Sequence, residues 1–241
     1  MVHGRYIEPF LGSGAIYFSL RPERASLSDL NSDLIDTYRV VKRAWRILTA
    51  KLIEHQRLHS PAHYYRIRAQ DPLDQIDRAA RLIYLNRTCW NGLYRVNLAG
   101  KFNVPLGTKT KVLEAEDEFQ SAAQLLRTAD LSVTDFQSAI GQAEQGDVVF
   151  ADPPYTVRHK FNGFVKYNES LFSWDDQIRL RDSLKAAKNR GARIFLTNAD
   201  HESIRKLYKD HFVLREMNRY SAISGCSDSR GNYPELLITA Q

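Results

Sequence analysis

Apolar and polar positions along this chain follow two periods, and the period changes twice. Short apolar or alternating runs at residues 6–7, 25–28, 131–134, 148–151, 193–197, 212–215 and 236–239 have the length and composition of strands. Helical patterns lie between them. Residues 15–20 open one, and Leu34, Tyr38, Val41, Trp45 and Leu48 fall on a 4-3-4-3 spacing that predicts a longer one, capped by Asn31 or Ser32. Ser173 with Asp176 forms a capping-box signal before a helix running to about Arg190 and closed by Gly191. A short helix follows Asp135-Phe136, and another spans residues 201–208. From residue 51 to 118 the strand–helix alternation stops: helical segments dominate, and the loops are rich in Tyr, Arg and Asn. The pattern predicts an α/β fold with a doubly wound, mostly parallel sheet formed by residues 1–50 and 119–241, interrupted by a helical insertion at 51–118.

At 241 residues the chain suits one large domain, or one domain with an insertion. No apolar stretch approaches the roughly 18 residues of a membrane span, and no charged-then-apolar leader opens the sequence, so a cytoplasmic protein is expected. Cys89 and Cys226 are too few for a disulfide framework or a zinc site and are expected to be reduced bystanders. The net charge of +6 suggests a polyanionic partner, and its distribution is sharper than its sum. Arg87, Arg95, Lys101, Lys109 and Lys111 follow one another with no acid between, after which Glu114, Glu116, Asp117 and Glu118 reverse the sign. A binding face next to a solvated turn fits that contrast.

Chemistry-bearing residues gather at the predicted strand ends. Phe10-Leu11-Gly12-Ser13-Gly14 is a strand-to-helix glycine turn, in which glycines allow positive φ and close approach of a ligand to the backbone. Asp29 ends the second strand, where nucleoside-binding sheets place an acid against ribose hydroxyls; capping the next helix is its plainer alternative. Asp135, at the end of the strand after the insertion, reads as a third acid on this edge or as a loop cap. Asp152-Pro153-Pro154-Tyr155 follows the apolar run 148–151. Neither proline can donate an N–H, so the tetrapeptide offers a carboxylate, fixed carbonyl acceptors and an aromatic plate. A planar group with an exocyclic amine, such as a nucleobase, suits that pocket. His55, His59 and His63 have a spacing reminiscent of metal ligands, but Pro61 interrupts them and no carboxylate or cysteine completes a site; they read as solvated histidines near phosphate.

In order and spacing these motifs resemble the Dam-type DNA adenine N6-methyltransferases (D12 class, alpha group), which carry FxGxG, a target-recognition insertion and then DPPY. Residues 85–97, LNRTCWNGLYRVN, continued by GKFNVPLG at 100–107, look like that family's recognition region. The resemblance implies S-adenosylmethionine as cofactor, double-stranded DNA as partner, no metal, and a Rossmann-like methyltransferase fold. It places Glu8, Phe10, Gly12, Gly14, Asp29, Asp135, Phe136 and Asp152 at the cofactor, with Asp29 on the ribose hydroxyls and Asp135 and Phe136 flanking the adenine. Asp152, Pro153, Pro154 and Tyr155 form the catalytic set. Arg87, Asn91, Leu93, Arg95, Asn97, Lys101, Pro105, Lys109, Lys111, Arg158 and Lys160 become DNA contacts, with Leu93, Arg95 and Pro105 as readers of the bases. Trp90, Tyr94 and Phe102 are expected to support the loop, and residues 156–168 to form a basic, aromatic loop able to close over a flipped base.

The implied reaction flips an adenine out of the duplex, stacks it on Tyr155 and holds its amino group with Asp152 and the Pro153 carbonyl. Cytosine N4 methylation is an alternative, as the same pocket would hold another exocyclic amine, although such enzymes more often carry Ser at the Asp152 position. Family members usually begin with some thirty further residues that help close the cofactor site. Before the first strand this sequence has Met1-Val2-His3-Gly4-Arg5, which raises a second alternative, a catalytically impaired DNA-binding protein. A monomer is expected, acting alone or in a restriction-modification or phage context.

Overall fold

The computed structural model describes residues 4–97, 99–115, 117–156, 172–221 and 231–240. Its strands are β1 (Tyr6–Glu8), β2 (Ala25–Asp29), β3 (Ala129–Val133), β4 (Val148–Ala151), β5 (Arg193–Ala199), β6 (Val213–Ser221) and β7 (Gly231–Ala240). They form one sheet in the order β3-β2-β1-β4-β5-β7-β6. β1 pairs in parallel with β2 and β4, and β4 with β5, while β7 runs antiparallel between β5 and β6. The chain thus winds outward from β1 through β2 to β3, then returns to the other side of β1 as β4. That reversal is a topological switch point, and in open α/β sheets a crevice forms there at the carboxyl ends of the strands.

By compactness the chain divides into two units, residues 1–30 with 132–241 and residues 31–131, so β3 straddles the border. In the first unit, α1 (Ala15–Leu20) follows β1, and the helices α6 (Phe136–Gly141), α7 (Trp174–Asn189) and α8 (Glu202–Tyr208) cover the sheet. Ile7, Val149, Ala151, Ile194, Leu196, Leu236 and Ile238 of the strands form one core with Phe136, Ile140, Leu180, Leu184, Ile204 and Tyr208 of these helices. Burial on both faces explains why the central strands read as apolar runs. The expected capping box is present: the Ser173 hydroxyl accepts from the Asp176 N–H, and the Asp176 carboxylate accepts from the Ser173 N–H.

The second unit contains α2 (Ser32–Leu58), α3 (Pro61–Ala69), α4 (Gln75–Thr88), a 3-10 turn (Trp90–Gly92) and α5 (Phe119–Leu126). Its border lies outside the 51–118 segment set apart by sequence, because α2 runs through residue 51 and packs on both α4 and α5. Asn31 caps α2, its side chain accepting from the Leu34 N–H. Helical geometry breaks at Ala44, where φ is −140° and ψ is 29°. Ile35, Thr37, Val40, Val41, Leu48 and Leu52 are buried, whereas Leu34, Tyr38 and Trp45 of the predicted face are only half-buried. Val41 and Leu48, on either side of the break, keep the predicted spacing.

The three histidines also differ from expectation. They pack around Tyr84 instead of standing in solvent: His55 stacks on its ring at 4.8 Å, His59 Nδ1 lies 3.0 Å from its hydroxyl, and His63 is 5% exposed. Burial holds all three imidazoles below their ordinary pKa, His55 at about 4, so this cluster is neutral near pH 7. Among the described residues no group of three or more His, Cys, Asp or Glu is placed to hold a metal, and no helix is long and apolar enough to cross a membrane.

Backbone contact at Gly107 closes this unit. Its N–H donates to the Thr88 carbonyl at 2.8 Å, and a Cβ there would sit 2.4 Å from the Cys89 carbonyl oxygen. Both neighbours are main chain and cannot swing aside. Gly107→Ala should therefore destabilise the protein by roughly 1–3 kcal/mol through overpacking. The midpoint of urea unfolding, compared with the wild type at constant slope, measures that loss.

Candidate active site at the switch point

Strand register decides which side chains meet. Ile7 is level with Ser26 of β2 and Val149 of β4, and Ala151 is level with Leu196 of β5. Glu8, Asp29 and Asp152 therefore arrive at one edge of the sheet, each at the carboxyl end of its strand.

The glycine turn is wound tightly across this edge. Leu11 N–H donates to the Ser28 carbonyl at 2.9 Å, and Gly14 N–H to the Leu11 carbonyl at 2.7 Å. Gly12 and Gly14 have φ of +46° and +65°, in the left-handed region that side chains avoid. Asp29 accepts from the Gly12 N–H at 3.1 Å, so its carboxylate is tied to the turn, while the cap of the following helix is Asn31. A Cβ on Gly12 would meet nothing within 4 Å, which leaves an open surface over the backbone beside Asp29.

Asp135 caps α6, accepting from the Gln137 N–H at 2.9 Å, and pairs with Arg179 at the same distance. Phe136 is 3% exposed. Its ring stacks on Phe10 at 5.4 Å, lies 5.6 Å from Phe172 and has the Arg179 guanidinium 4.8 Å from its centroid. The Phe136 ring thus underpins the glycine turn through Phe10, and is not an open plate for a ligand.

In the tetrapeptide after β4, Asp152 is exposed, Pro153 is buried, and Pro154 and Tyr155 are half-buried. The Asp152 Oδ1 accepts from the Thr197 hydroxyl at 2.6 Å. Sequence reasoning missed Thr197. It had placed a strand end there, but only the adjacency of β4 and β5 reveals that this hydroxyl aims the carboxylate. Glu8 is 3% exposed and accepts from the Tyr6 hydroxyl at 2.9 Å. Burial pushes its carboxyl up to about 7, and the neighbouring charge of Asp152 pushes the same way, against hydrogen bonds from the Tyr6 hydroxyl and the Tyr17 N–H. This edge is thus rich in acceptors and negative charge, suited to a cation and to amine N–H donors.

The segment 86–111, within the second unit, separates into anchored and presented groups. Arg87 is held by Asp117 through both terminal guanidinium nitrogens and donates to the Val112 carbonyl, so it is a clamp rather than the expected DNA contact. Asn97 is a turn former: its Oδ1 accepts from the N–H groups of Ala99 and Lys101, both at 3.0 Å. Asn91 is exposed at φ 54° in the 3-10 turn, and Leu93 is half-buried. Arg95, Lys101, Pro105 and Lys109 are exposed, and Lys111 is exposed but 3.7 Å from Glu114. Of the aromatics, Phe102 is buried beneath Tyr94, at 5.9 Å between ring centres, while Trp90 and Tyr94 keep roughly two-fifths of their surface. Cys89 is buried, as a bystander would be. Arg158, Lys160 and most of the loop expected at 156–168 lie outside the described residues, as does Cys226.

A mixed α/β sheet, parallel from β2 through β1 and β4 to β5, with a glycine turn and a strand-end acid at its switch point, is a Rossmann-like methyltransferase fold. Residues 2–223 match the family model for D12 class N6 adenine-specific DNA methyltransferases, and the chain belongs to that family. It is 34% identical to a type II methyltransferase of Lactococcus lactis subsp. cremoris, over 98% of this chain and 86% of the relative. Identity to the DNA adenine methylase of Vibrio cholerae is 32%, covering 96% of this chain and 85% of that protein. The corresponding Escherichia coli K12 enzyme is 29% identical over 96% and 84%. The chain is an adenine-N6 DNA methyltransferase.

Two measurements test these placements. As pH rises from about 4.5 to 7, the unfolded chain loses the Glu8 proton before the folded one does, so the wild type loses stability relative to Glu8→Gln. Glu8→Gln should gain up to about 3 kcal/mol by pH 8, at about 1.4 kcal/mol per pKa unit, and thermal melts at pH 4, 6 and 8 would reveal the widening gap. Arg87→Ala should lower stability by about 1–3 kcal/mol by leaving the half-buried Asp117 without its partner. Its DNA affinity should keep the salt slope of the wild type, since a lost phosphate contact would reduce that slope by about 1.

Proposed function

We propose that the switch-point edge transfers a methyl group from S-adenosylmethionine to the N6 amino group of an adenine rotated out of duplex DNA. The observation that carries this reading is the Asp152 carboxylate, exposed and aimed by Thr197, beside the open face of the glycine turn. The residues suit the cofactor. The space over Gly12 admits close approach to the backbone, Asp29 offers a carboxylate for ribose hydroxyls, and the exposed Asp152 supplies a carboxylate for a sulfonium. When bound, S-adenosylmethionine supplies the electrophilic methyl group.

The remaining steps fall to the chain's own groups. Tyr155 offers a ring on which the base stacks, offsetting part of the few kcal/mol of flipping. Asp152 and the Pro153 carbonyl accept hydrogen bonds from the N6 amino group, which draws the nitrogen from planarity and frees its lone pair. Thr197 fixes Asp152 before the substrate arrives, so little reorganisation remains at the moment of reaction. For the duplex, the 51–118 segment is the recognition element. Exposed Arg95 is suited to a base edge, with Leu93 and Pro105 as apolar neighbours, and Lys101 and Lys109 to phosphates.

Asp152→Ala should abolish transfer of label from S-adenosylmethionine to plasmid DNA while anisotropy titrations still record DNA binding. Thr197→Val, which keeps the shape but removes the hydroxyl, should lower kcat by roughly 10-fold, at the modest end of losses from a preorganised group. Nucleoside analysis of the product should yield N6-methyladenine. Normal turnover by Asp152→Ala would overturn the assignment.

A further inference from the structure

We propose that Asn103 sets base choice by locking the Arg95 guanidinium so that only its terminal Nη1/Nη2 edge is offered to the DNA, which selects guanine at one position of the recognition site. The inference rests on Arg95 being a base reader, as proposed above, and names the residue that gives it an orientation.

Residues 94–97 and 101–103 lie side by side as two short arms. Val96 and Phe102 are bridged in antiparallel fashion, Asn97 N–H donates to the Lys101 carbonyl at 2.9 Å, and Asn103 N–H donates to the Arg95 carbonyl at 3.1 Å. The returning arm is anchored. Phe102 is 8% and Val104 1% exposed, and the Val104 carbonyl accepts from the Tyr64 hydroxyl at 3.0 Å and from Arg68 at 3.1 Å. Asn103 thus stands on fixed backbone opposite an exposed arginine. Its Oδ1 accepts from the Arg95 Nε–H at 2.8 Å, and its carbonyl lies 3.5 Å from Nη2.

A guanidinium can address a planar acceptor pair by two edges, side-on through Nε and one Nη, or end-on through both Nη atoms. Asn103 occupies Nε and the flank of Nη2, so the side-on edge is closed. What remains is a fork of two parallel N–H donors, matched to the O6 and N7 acceptors that guanine alone presents side by side in the major groove. An arginine free to turn would also accept phosphate oxygens. Fixing it in advance reduces the freedom lost on binding, and the gain falls only on the base that fits the fork. The signal in sequence is faint: Asn103 is one more polar residue in a polar loop, and its role depends on how the two arms pair.

The test uses the intact enzyme and its own methylation site, mapped by sequencing modified plasmid, with duplexes altered one base pair at a time. Relative kcat/KM would be compared for the wild type, Arg95→Ala, Asn103→Ala, Asn103→Asp and the double alanine variant. At one G·C pair Arg95→Ala should lose discrimination by more than tenfold and Asn103→Ala by about tenfold. Asn103→Asp, which keeps the acceptor, should retain it, and the double variant should discriminate no worse than Arg95→Ala. Replacing that guanine by 7-deazaguanine should slow the wild type and leave Arg95→Ala unaffected. Wild-type discrimination in Asn103→Ala alongside relaxed Arg95→Ala would overturn the inference, as would additive losses in the double variant. Retained discrimination in Arg95→Ala itself is a different result, which would remove Arg95 as a reader and this inference with it.

Discussion

Two carboxyl groups at the ends of adjacent parallel strands are the constraint on which the candidate active site depends. Glu8 is buried at the tip of β1, and Asp152 stands just beyond β4. Burial opposes ionisation of Glu8, and the nearby charge of Asp152 adds to the cost, so the Glu8 carboxyl is pushed up to about 7. A fold optimised for stability alone would not keep an acid there. The sheet tolerates it because Tyr6 and the Tyr17 N–H satisfy the buried carboxyl, and because the surrounding β-sheet is rigid. A cation placed at this edge would favour the charged form of Glu8.

Around that pair the supports are graded by distance from the chemistry. Thr197 touches Asp152 directly. Asp29 holds the glycine turn by one hydrogen bond, and Phe136 supports Phe10 from below. Farther out, Arg179 joins Asp135 to Asp176 at the start of α7, so the helix after the tetrapeptide is tied to the cap of α6. Rigid backbone at strand ends is well suited to place acceptors with the precision that transfer to a weakly nucleophilic amine needs.

How much of this was legible in the sequence follows from what local pattern can encode. Strand ends, the glycine turn and the tetrapeptide announce themselves, because each is made by contiguous residues whose types are dictated by φ, by burial or by lost N–H groups. The capping box at Ser173 and Asp176 was readable for the same reason. Thr197 was not, since its role exists only once β5 lies beside β4. The helix break at Ala44 carries no glycine or proline to flag it, and the predicted stripe of α2 is buried at Val41 and Leu48 but only half-buried at Leu34, Tyr38 and Trp45. The histidines misled because spacing along a chain says nothing of Tyr84, a residue from another helix that fills the space among them.

The basic segment 86–111 makes the same point about charge. Counted by type, Arg87 and Arg95 are equivalent, as are Asn97 and Asn103. Environment separates them. Arg87 meets a half-buried carboxylate across the loop and becomes a brace, while Arg95 meets a neutral amide on an exposed arm and keeps most of its donors. Asn97 turns its oxygen inward to two backbone N–H groups and shapes the turn, whereas Asn103 turns its own toward Arg95. A positive stretch therefore measures attraction to a polyanion but not recognition. Recognition requires a donor whose direction is fixed while its hydrogens remain available: Asn103 takes the Nε side of Arg95 and leaves its terminal edge open, whereas Asp117 takes both terminal nitrogens of Arg87.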